Sequence, residues 1–575
     1  MDEPCWEVCP PAGPEALARL GVDSPLLAQL LWNRGVRDAA AAERFLHPER
    51  AALHDPWQMA GVDEAVRCIR AAVAAGAPIA IHGDYDADGV TATAVLVEAL
   101  RQLGARPLFH IPHRARDGYG LSAATVRRLA AQGVRLLLTV DCGITANAEV
   151  ALAAELGMEV VVTDHHHVPV DLPAARAVLN PRQPGCRYPF RELAGVGVAY
   201  VLARALLESA LPAAAAERAA EALLDLVALG TIADMVPLVG ENRALVARGL
   251  RVLREARRPG LQALMTVAGV AAGDLTAQRV AYSLVPRLNA AGRMADAVEA
   301  CRLLLAADRA RAEPLAERLE ALNRVRQQAV MEAVAQARTL ADPRAPAAVV
   351  VGDFPVGIVG LVAGRLAQET GRPWVVLARE AEYCRGSARG PEGFHLAAAL
   401  ERCADVLVQH GGHAQAAGLT LRVRELPAFV ERFQALAAAV LGAPGAAAAA
   451  PRPRWRIDGV IPLGAIDWAF AETLLQLEPC GVGNPSPLFL TRGARVRESR
   501  VLLNEGGDAR QAVLVLRLSD GGVPLRGVAF ECPQAPAAGG AVDVVYEVER
   551  RTWDEEVRIE LRIRDLRPAG GAGAR

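Results

Sequence analysis

Short apolar runs alternate with helical patterns and polar loops from about residue 61 to 235, the signature of βα units feeding a parallel sheet. The predicted strands are Pro78 to His82, Pro107 to Ile111, Leu136 to Val140, Val160 to Thr163 and Ala177 to Leu179. Ligand sites in such sheets lie just outside the carboxyl ends of the strands, so polar clusters there carry the most weight. Residues 1–60 read as a small helical segment punctuated by prolines, and 241–345 as an Ala/Leu/Arg-rich helical connector whose longest stretch is Ala295 to Leu340. A second α/β unit begins at Ala347 to Gly352 and occupies 346–441, and 442–454 has the Pro, Gly and alanine content of a linker. After it the pattern switches to period two: Val557, Ile559, Leu561 and Ile563 alternate with Arg558, Glu560, Arg562 and Arg564. With further runs at Ala512 to Leu518, Leu525 to Phe530 and Val542 to Val548, residues 455–570 predict a small antiparallel barrel or sandwich. The fold class expected is α/β, two such domains joined by helices and followed by a β-barrel.

A length of 575 residues agrees with several domains rather than one core. Hydrophobic residues at 52% and charged residues at 22% exclude a disordered or coiled-coil chain. The net charge of -2 gives no global positive field, so any nucleic-acid contact has to come from local clusters. Lysine is absent, which makes every cationic side chain other than histidine a planar, permanently charged guanidinium. The 10 cysteines form no Cys-x-x-Cys pair and no disulfide-like spacing, Asp2, Glu3 and Pro4 stand where a signal peptide is basic, and no apolar run approaches the length of a membrane span. A cytoplasmic protein without a membrane partner is expected.

The first predicted strand runs into Asp84-Tyr85-Asp86-Ala87-Asp88-Gly89, with carboxylates at every second position. An EF-hand loop opens this way, but its twelfth position needs a bidentate glutamate and here is Val95. Turn-forming and helix-capping aspartates would explain the run taken alone. It is not alone: the third strand ends in Asp141-Cys142-Gly143, the fourth in Asp164-His165-His166-His167, and Gly230 to Pro237 places Asp234 after an apolar helical stretch. Carboxylates mixed with imidazoles suit Mn²⁺ or Mg²⁺ better than a structural Zn²⁺ site, and two such ions can share a carboxylate and activate water toward a phosphodiester. A P-loop of the usual kind is impossible without lysine, and His-Glu-x-x-His and Gly-x-Ser-x-Gly signatures are missing.

Asp84 to Gly89, Asp141-Cys142-Gly143, Asp164-His165-His166 and Ala233-Asp234 resemble the four motifs of the DHH phosphoesterases. Gly386-Ser387-Ala388-Arg389 and Gly411 to Gly418 are similar to the companion DHH-associated domain (DHHA1). Pro286 to Arg293 and Glu478 to Pro485 resemble segments of the family's single-strand-specific 5′ to 3′ exonucleases. The resemblance covers about residues 60 to 570. It implies a cleft walled by the two α/β domains, one or two Mn²⁺ or Mg²⁺ ions, a C-terminal OB-like fold and a channel too narrow for duplex. It implies metal ligands at Asp86, Asp88, Asp141, His165 and Asp234, with Asp141 as a bridge, and Asp84 and His166 beside His165 in catalysis. Arg114, a fork suited to a terminal phosphate, is a substrate-binding candidate, as are, by the resemblance, Asn289, Arg293, Ser387, Arg389 and His413. Tyr119 is placed either to stack on a base or to pack, and His167 reads as a loop histidine. Cys480 stands where the family often has an aromatic residue, and Arg492, Arg495, Arg497 and Arg500 are the local cations of the barrel.

The expected activity is therefore metal-dependent exonuclease digestion of single-stranded DNA from the 5′ end to 5′-mononucleotides, in DNA repair and recombination. Single-strand-binding protein and a RecQ-like helicase are the protein partners the resemblance implies. Two other readings compete: a DHH phosphodiesterase for short oligonucleotides or cyclic dinucleotides, against which residues 455–570 count, and a nucleic-acid-binding scaffold without catalysis, against which the full set of ligand-type residues counts.

Overall fold

The computed structural model describes residues 5–114, 116–441, 454–502, 513–530, 535–553 and 556–570. The linker expected at 442–454 falls outside these residues except for Arg454, where a strand already begins. The chain divides into two compact units, one of residues 53–451 and one that joins residues 1–52 to 452–575.

The larger unit is built on a five-stranded parallel sheet in the order Leu108–His110, Ile79–His82, Leu136–Val140, Glu159–Thr163, Ala177–Leu179. All five agree with the predicted strands to within a residue or two at each end. The strand Ile79–His82 has the second strand on one side and the third on the other, so the chain winds away from it in both directions. A crevice opens at such a reversal, at the carboxyl ends of the strands. Both faces of the sheet are covered. Ile79, Ile81, Leu136, Leu138, Val140 and Val161 join one core with helices Ala87–Gln102, Gly195–Ala210 and Leu224–Ala233, while Ala80, Leu137, Val160 and Val162 join another with helices Ala123–Ala131 and Asn147–Glu155. The alternation follows from the two-residue repeat of a strand, and burial on both faces explains why the strands are apolar throughout.

A second, mixed sheet follows the connector, in the order Gln409–Gly412, Ala416–Arg422, Tyr383–Arg389, Trp374–Arg379, Ala348–Gly352. The last two strands are parallel and the other pairs antiparallel. The helical stretch expected from Ala295 to Leu340 is broken: helix Val298–Leu304 ends, and Asp308 starts a new helix, Arg309–Leu340, by accepting a hydrogen bond from Arg311 N at 2.9 Å. Aspartate at that position satisfies an N–H that would otherwise lack a partner. This helix of 32 residues is about 48 Å long at the usual rise. Ala312, Ala316, Leu319 and Leu322 near its start belong to the core of the first sheet, and Ala333, Val334 and Ala337 near its end to that of the second. One continuous helix thus packs against the cores of both sheets.

In the smaller unit five strands close into a barrel: Phe489–Leu502, Val513–Ser519, Leu525–Phe530, Glu556–Pro568 and Ala541–Trp553, the last pairing back onto the first. Closure removes free strand edges. The barrel is not wholly antiparallel, because Leu525–Phe530 runs parallel to Glu556–Pro568. The N-terminal segment is helical, as expected, over Pro25–Asn33 and Ala39–Leu46, but it opens with a strand, Cys5–Val8, that pairs in parallel with Arg454–Ile457. Its Leu27, Leu30 and Leu31 share a core with Phe489, Leu516 and Tyr546 of the barrel. Four residues are too short a run to read as a strand without the partner some 450 positions away that completes it.

Candidate metal centre

The acidic and histidine motifs converge at the carboxyl ends of the three central strands. Asp86 starts helix Ala87–Gln102, its Oδ1 accepting from Asp88 N at 3.0 Å and Gly89 N at 3.1 Å. Asp88, in the first turn, accepts from Gly195 N at 2.7 Å and Val196 N at 2.9 Å, the amino end of helix Gly195–Ala210, so the motif helix and that helix are locked through one carboxylate. Asp141 follows its strand directly in the left-handed region, φ 59°, which aspartate tolerates better than most residues. Asp234 ends helix Leu224–Ala233.

His165 Nε2 lies 3.1 Å from Asp141 Oδ1, 3.7 Å from Asp234 Oδ2 and 4.0 Å from Asp88 Oδ2. Three overlapping groups could each hold a cation: Asp88, His165 and Asp234; Asp84, Asp86 and Asp141; and Asp141, His165 and His166. Asp141 belongs to the second and third, and His165 to the first and third. Asp84 Oδ1, Asp141 Oδ1, Asp234 Oδ2 and both ring nitrogens of His165 are buried without a hydrogen-bond partner. Lone pairs kept apart from donors in this way are costly unless a cation takes them, so the donor set fits Mn²⁺ or Mg²⁺. Electrostatics agree. Burial, then repulsion among the carboxylates, pushes Asp84, Asp88 and Asp141 well above the usual range and Asp234 up to about 7. Burial first, and His166 second, holds His165 down to about 3, keeping the imidazole neutral as a ligand must be.

Asp164 received no role from the sequence, yet it organises the histidines. Its Oδ1 accepts from His165 N at 2.8 Å, His166 N at 3.0 Å and His166 Nδ1 at 2.7 Å, and its Oδ2 from Ile144 N at 3.0 Å. Burial alone would raise its pKa; these bonds and the His166 charge outweigh it and hold the carboxyl below its usual value. Asn180, also unforeseen, donates to His166 O at 3.0 Å. The only signal for Asp164 was its place at the head of the histidine pair. His167 is exposed, as a loop histidine should be.

Glycines set the closeness of approach. A Cβ on Gly195 would stand 2.4 Å from Asp141 Oδ1, and one on Gly230 2.2 Å from Thr91 Oγ1 and 3.0 Å from Asp88 Oδ1. Gly195→Ala is expected to displace Asp141 and lower activity roughly 10–100-fold, the usual cost of disturbing a ligand's support, with the metal requirement shifted to higher concentration. Metal titrations of variant and parent check this; an unchanged titration curve counts against the packing argument.

The substrate-binding candidates fall into two groups. Arg114 is close enough to Arg293 and to Arg389 to repel each of them. Burial first, then Arg114 and Arg326, brings Arg293 down to about 10, and burial, then Arg114, lowers Arg389. Arg114 lies over the Tyr85 ring, 3.9 Å from its centroid, and its buried Nε has no partner. Arg293 donates to Gly357 O at 3.1 Å, and Arg389 to Ser387 Oγ at 2.6 Å, which itself donates to Ala417 O at 3.1 Å. Clustered guanidiniums held by neutral oxygens suit an anion. Arg326, on the connector helix, was missed because nothing in its sequence context marks it. The second group serves the scaffold more directly: Asn289 Oδ1 accepts from Ala87 N at 2.8 Å and so fixes the motif loop. His413 is exposed at a hairpin turn whose Ala416 is register-paired with Arg389. Tyr119 is 53% exposed, with its hydroxyl 3.3 Å from His166 Nδ1 and its ring in T-shaped contact with Tyr85 and His166. Cys480 is buried in the smaller unit's core, which removes it as a stacking surface. Arg492, Arg495, Arg497 and Arg500 are exposed along one barrel strand.

Family models described as the DHH family N-terminal domain, the DHHA1 domain and the RecJ OB domain match residues 78–231, 345–439 and 457–565. The chain is 37% identical to a Bacillus subtilis protein named single-stranded-DNA-specific exonuclease RecJ, over 94% of this chain and 68% of that one. The Escherichia coli protein of the same name is 36% identical, over 89% of this chain and 90% of its own. Among solved structures, RecJ from Thermus thermophilus in complex with Mn²⁺ superposes with a TM-score of 0.82 and 33% identity, covering 99% of this chain and 80% of that one. Its Mg²⁺ complex gives 0.77 and 31%, covering 99% and 79%.

Proposed function

Because this chain belongs to the RecJ family of single-stranded-DNA-specific exonucleases, we propose that its carboxylate and histidine pocket hydrolyses the phosphodiester nearest a 5′ end and releases 5′-mononucleotides one at a time. The protein is a metal-dependent exonuclease of single-stranded DNA, with the DNA-repair role general to that family. The observation that carries the site assignment is the convergence of buried, unbonded donor atoms from Asp84, Asp141, His165 and Asp234 on one pocket.

In this reading Asp86, Asp88, Asp141, His165 and Asp234 would hold divalent metal, with donors enough for more than one ion, Asp141 common to two of the donor groups and Asp84 a further oxygen donor. Mn²⁺ or Mg²⁺ held there would lower the pKa of the attacking water and neutralise charge on the phosphate. The chain's own residues do the rest. Asp164 keeps the proton on His166 Nδ1 and favours its charged form; burial opposes this, but the bond and charge of Asp164 win and raise the His166 pKa. His166 can then donate to a phosphate oxygen as negative charge builds. Arg114, Arg293 and Arg389, with Ser387, take the 5′-terminal phosphate; a grip on that group beside the cleavage site gives the direction of digestion. Asn289 holds the motif loop, and the His413 turn meets the DNA backbone. The barrel arginines give a second, sequence-independent hold on the strand.

A nuclease that consumes unpaired strand needs one exposed for it, which supports a RecQ-like helicase and single-strand-binding protein as partners. No disulfide joins the described cysteines and no described helix is long and apolar enough to cross a membrane; the first of these supports a cytoplasmic location. The test is a long single-stranded DNA labelled at either end and incubated with Mn²⁺ or with EDTA. Mononucleotides released first from the 5′ end, and only with metal, are expected. Release from the 3′ end overturns the direction, and cleavage confined to di- and trinucleotides transfers the assignment to a short-oligonucleotide phosphodiesterase.

A further inference from the structure

The loop between strand Leu108–His110 and helix Ala123–Ala131 carries Arg114 and Tyr119, and both of its stems meet a single side chain from outside it. That side chain is His82, fully buried at the end of the strand that leads into Asp84. Its Nδ1 lies 3.0 Å from His110 Nδ1, at the start of the loop, and its Nε2 lies 3.1 Å from Gly120 O, at the end. The two imidazoles are nearly coplanar at 14°, with centroids 5.2 Å apart, so they meet edge to edge with the lone pair of one in line with the N–H of the other.

The protons on this chain are fixed by its outer end. Arg128, on the following helix, directs Nη2 at His110 Nε2. A guanidinium only donates, so His110 Nε2 accepts and the His110 proton sits on Nδ1. That N–H donates to His82 Nδ1, which leaves the His82 proton on Nε2, where it donates to the Gly120 carbonyl. Each ring nitrogen along the path has one partner and one role: a second proton on His82 would put two hydrogens between nitrogens 3.0 Å apart, and one on His110 would set an Nε2–H against the Arg128 guanidinium. Within the loop, Asp117 adds two bonds to His113: its Oδ2 accepts from His113 N at 2.8 Å, and its N donates to His113 O at 2.8 Å. The loop is tied to the sheet at its stems, where Gly83 N also donates to His110 O at 3.1 Å.

We propose that Arg128, His110 and His82 form a proton-ordered clamp that positions the loop of residues 111–120, and with it Arg114, against the metal-bearing strand. These three are positioning residues, and the proposal rests on the reading of Arg114 as a contact of the terminal phosphate. The clamp sets where the strand's end is held relative to the bond to be cut, without touching DNA.

The experiment compares parent, Arg114→Ala, His110→Leu and His110→Asn on single-stranded oligonucleotides with a 5′-phosphate or a 5′-hydroxyl, at saturating Mn²⁺. Asparagine places an N–H donor where His110 Nδ1 stands; leucine keeps volume and removes the donor. His110→Leu is expected to raise KM for the phosphorylated strand about tenfold, as one unpaired buried acceptor predicts, with kcat nearly unchanged. His110→Asn should restore most of the loss, and the Mn²⁺ concentration for half-activity should match the parent in both. Equal damage in the leucine and asparagine variants, or a changed metal requirement, overturns the clamp. So does a normal KM in His110→Leu while Arg114→Ala raises it. An unchanged KM in Arg114→Ala refutes the phosphate reading itself and takes the clamp with it. Should His110→Leu fail to fold, Arg128→Leu at the exposed end of the chain gives the same comparison.

Discussion

Asp141→Asn is expected to lower the turnover of single-stranded DNA by about a thousandfold or more, while the metal-free protein becomes more stable, not less. Asparagine keeps the shape but offers one neutral oxygen where a carboxylate faced His165 at 3.1 Å and stood beside Asp84 and Asp86. The stability side follows from sign. Asp141, Asp88 and Asp84 have folded-state pKa values raised by burial and by each other, and Asp234 is pushed up to about 7. A carboxyl raised in this way favours the fold only while protonated, so the metal-free protein loses stability as pH climbs from the ordinary carboxylate range of about 4 through 7. Denaturant unfolding in EDTA across that window should show the decline in the parent and a shallower one in Asp141→Asn. A variant that is both inactive and less stable without metal would mean that Asp141 is a structural cap instead.

The second large effect lies away from the chemistry. Arg258 is 11% exposed at its side chain, bonded to Asp225 at 3.0 Å and to Glu98 at 2.5 Å. Asp225 begins the helix that ends in Asp234, and Glu98 sits in the helix that begins at the Asp86 cap. Burial pushes Asp225 above its usual range even with Arg258 beside it, while burial would lower Arg258 and the charges and bonds of Asp225 and Glu98 outweigh it. The triad ties the helix that ends at Asp234 to the helix that begins at the Asp86 cap. Arg258→Met should cost about 3–5 kcal/mol, because it strands a buried carboxylate, and Arg258→Met with Asp225→Leu should recover most of that loss. Denaturation midpoints of the single and double variants decide it; an additive double variant would dismiss the coupling.

Much of the site was legible because its residues fall at strand and helix ends, where a polar cluster after an apolar run has few structural uses. Asp84 to Asp88, Asp141, His165 and Asp234 all declare themselves in this way. The residues that hold them do not. Asp164 looks like another member of the motif, Asp225 and Glu98 like ordinary helix polars, and His82 like the last residue of a strand; their roles depend on partners 28 to 160 positions away or on backbone N–H groups that no side-chain pattern records. The fold divides similarly. Strands of the parallel sheet are self-evident runs, and the barrel's alternation is visible, but the parallel pairing that shapes its closure is a matter of register between distant segments. Arg326 reaches the arginine cluster only because a long helix carries it there.

The pairing of Cys5–Val8 with Arg454–Ile457 has a temporal side. Residues 53–451 form one unit from a continuous stretch of chain, able to complete its core as soon as it leaves the ribosome. Residues 5–46 belong to a unit whose other part is made some 450 positions later. At the usual pace of synthesis their strand and their Leu30 and Leu31 wait roughly 20–90 s for their partners, so the whole sequence of the unit of residues 53–451 is made before the barrel core that buries Leu30 and Leu31 can form.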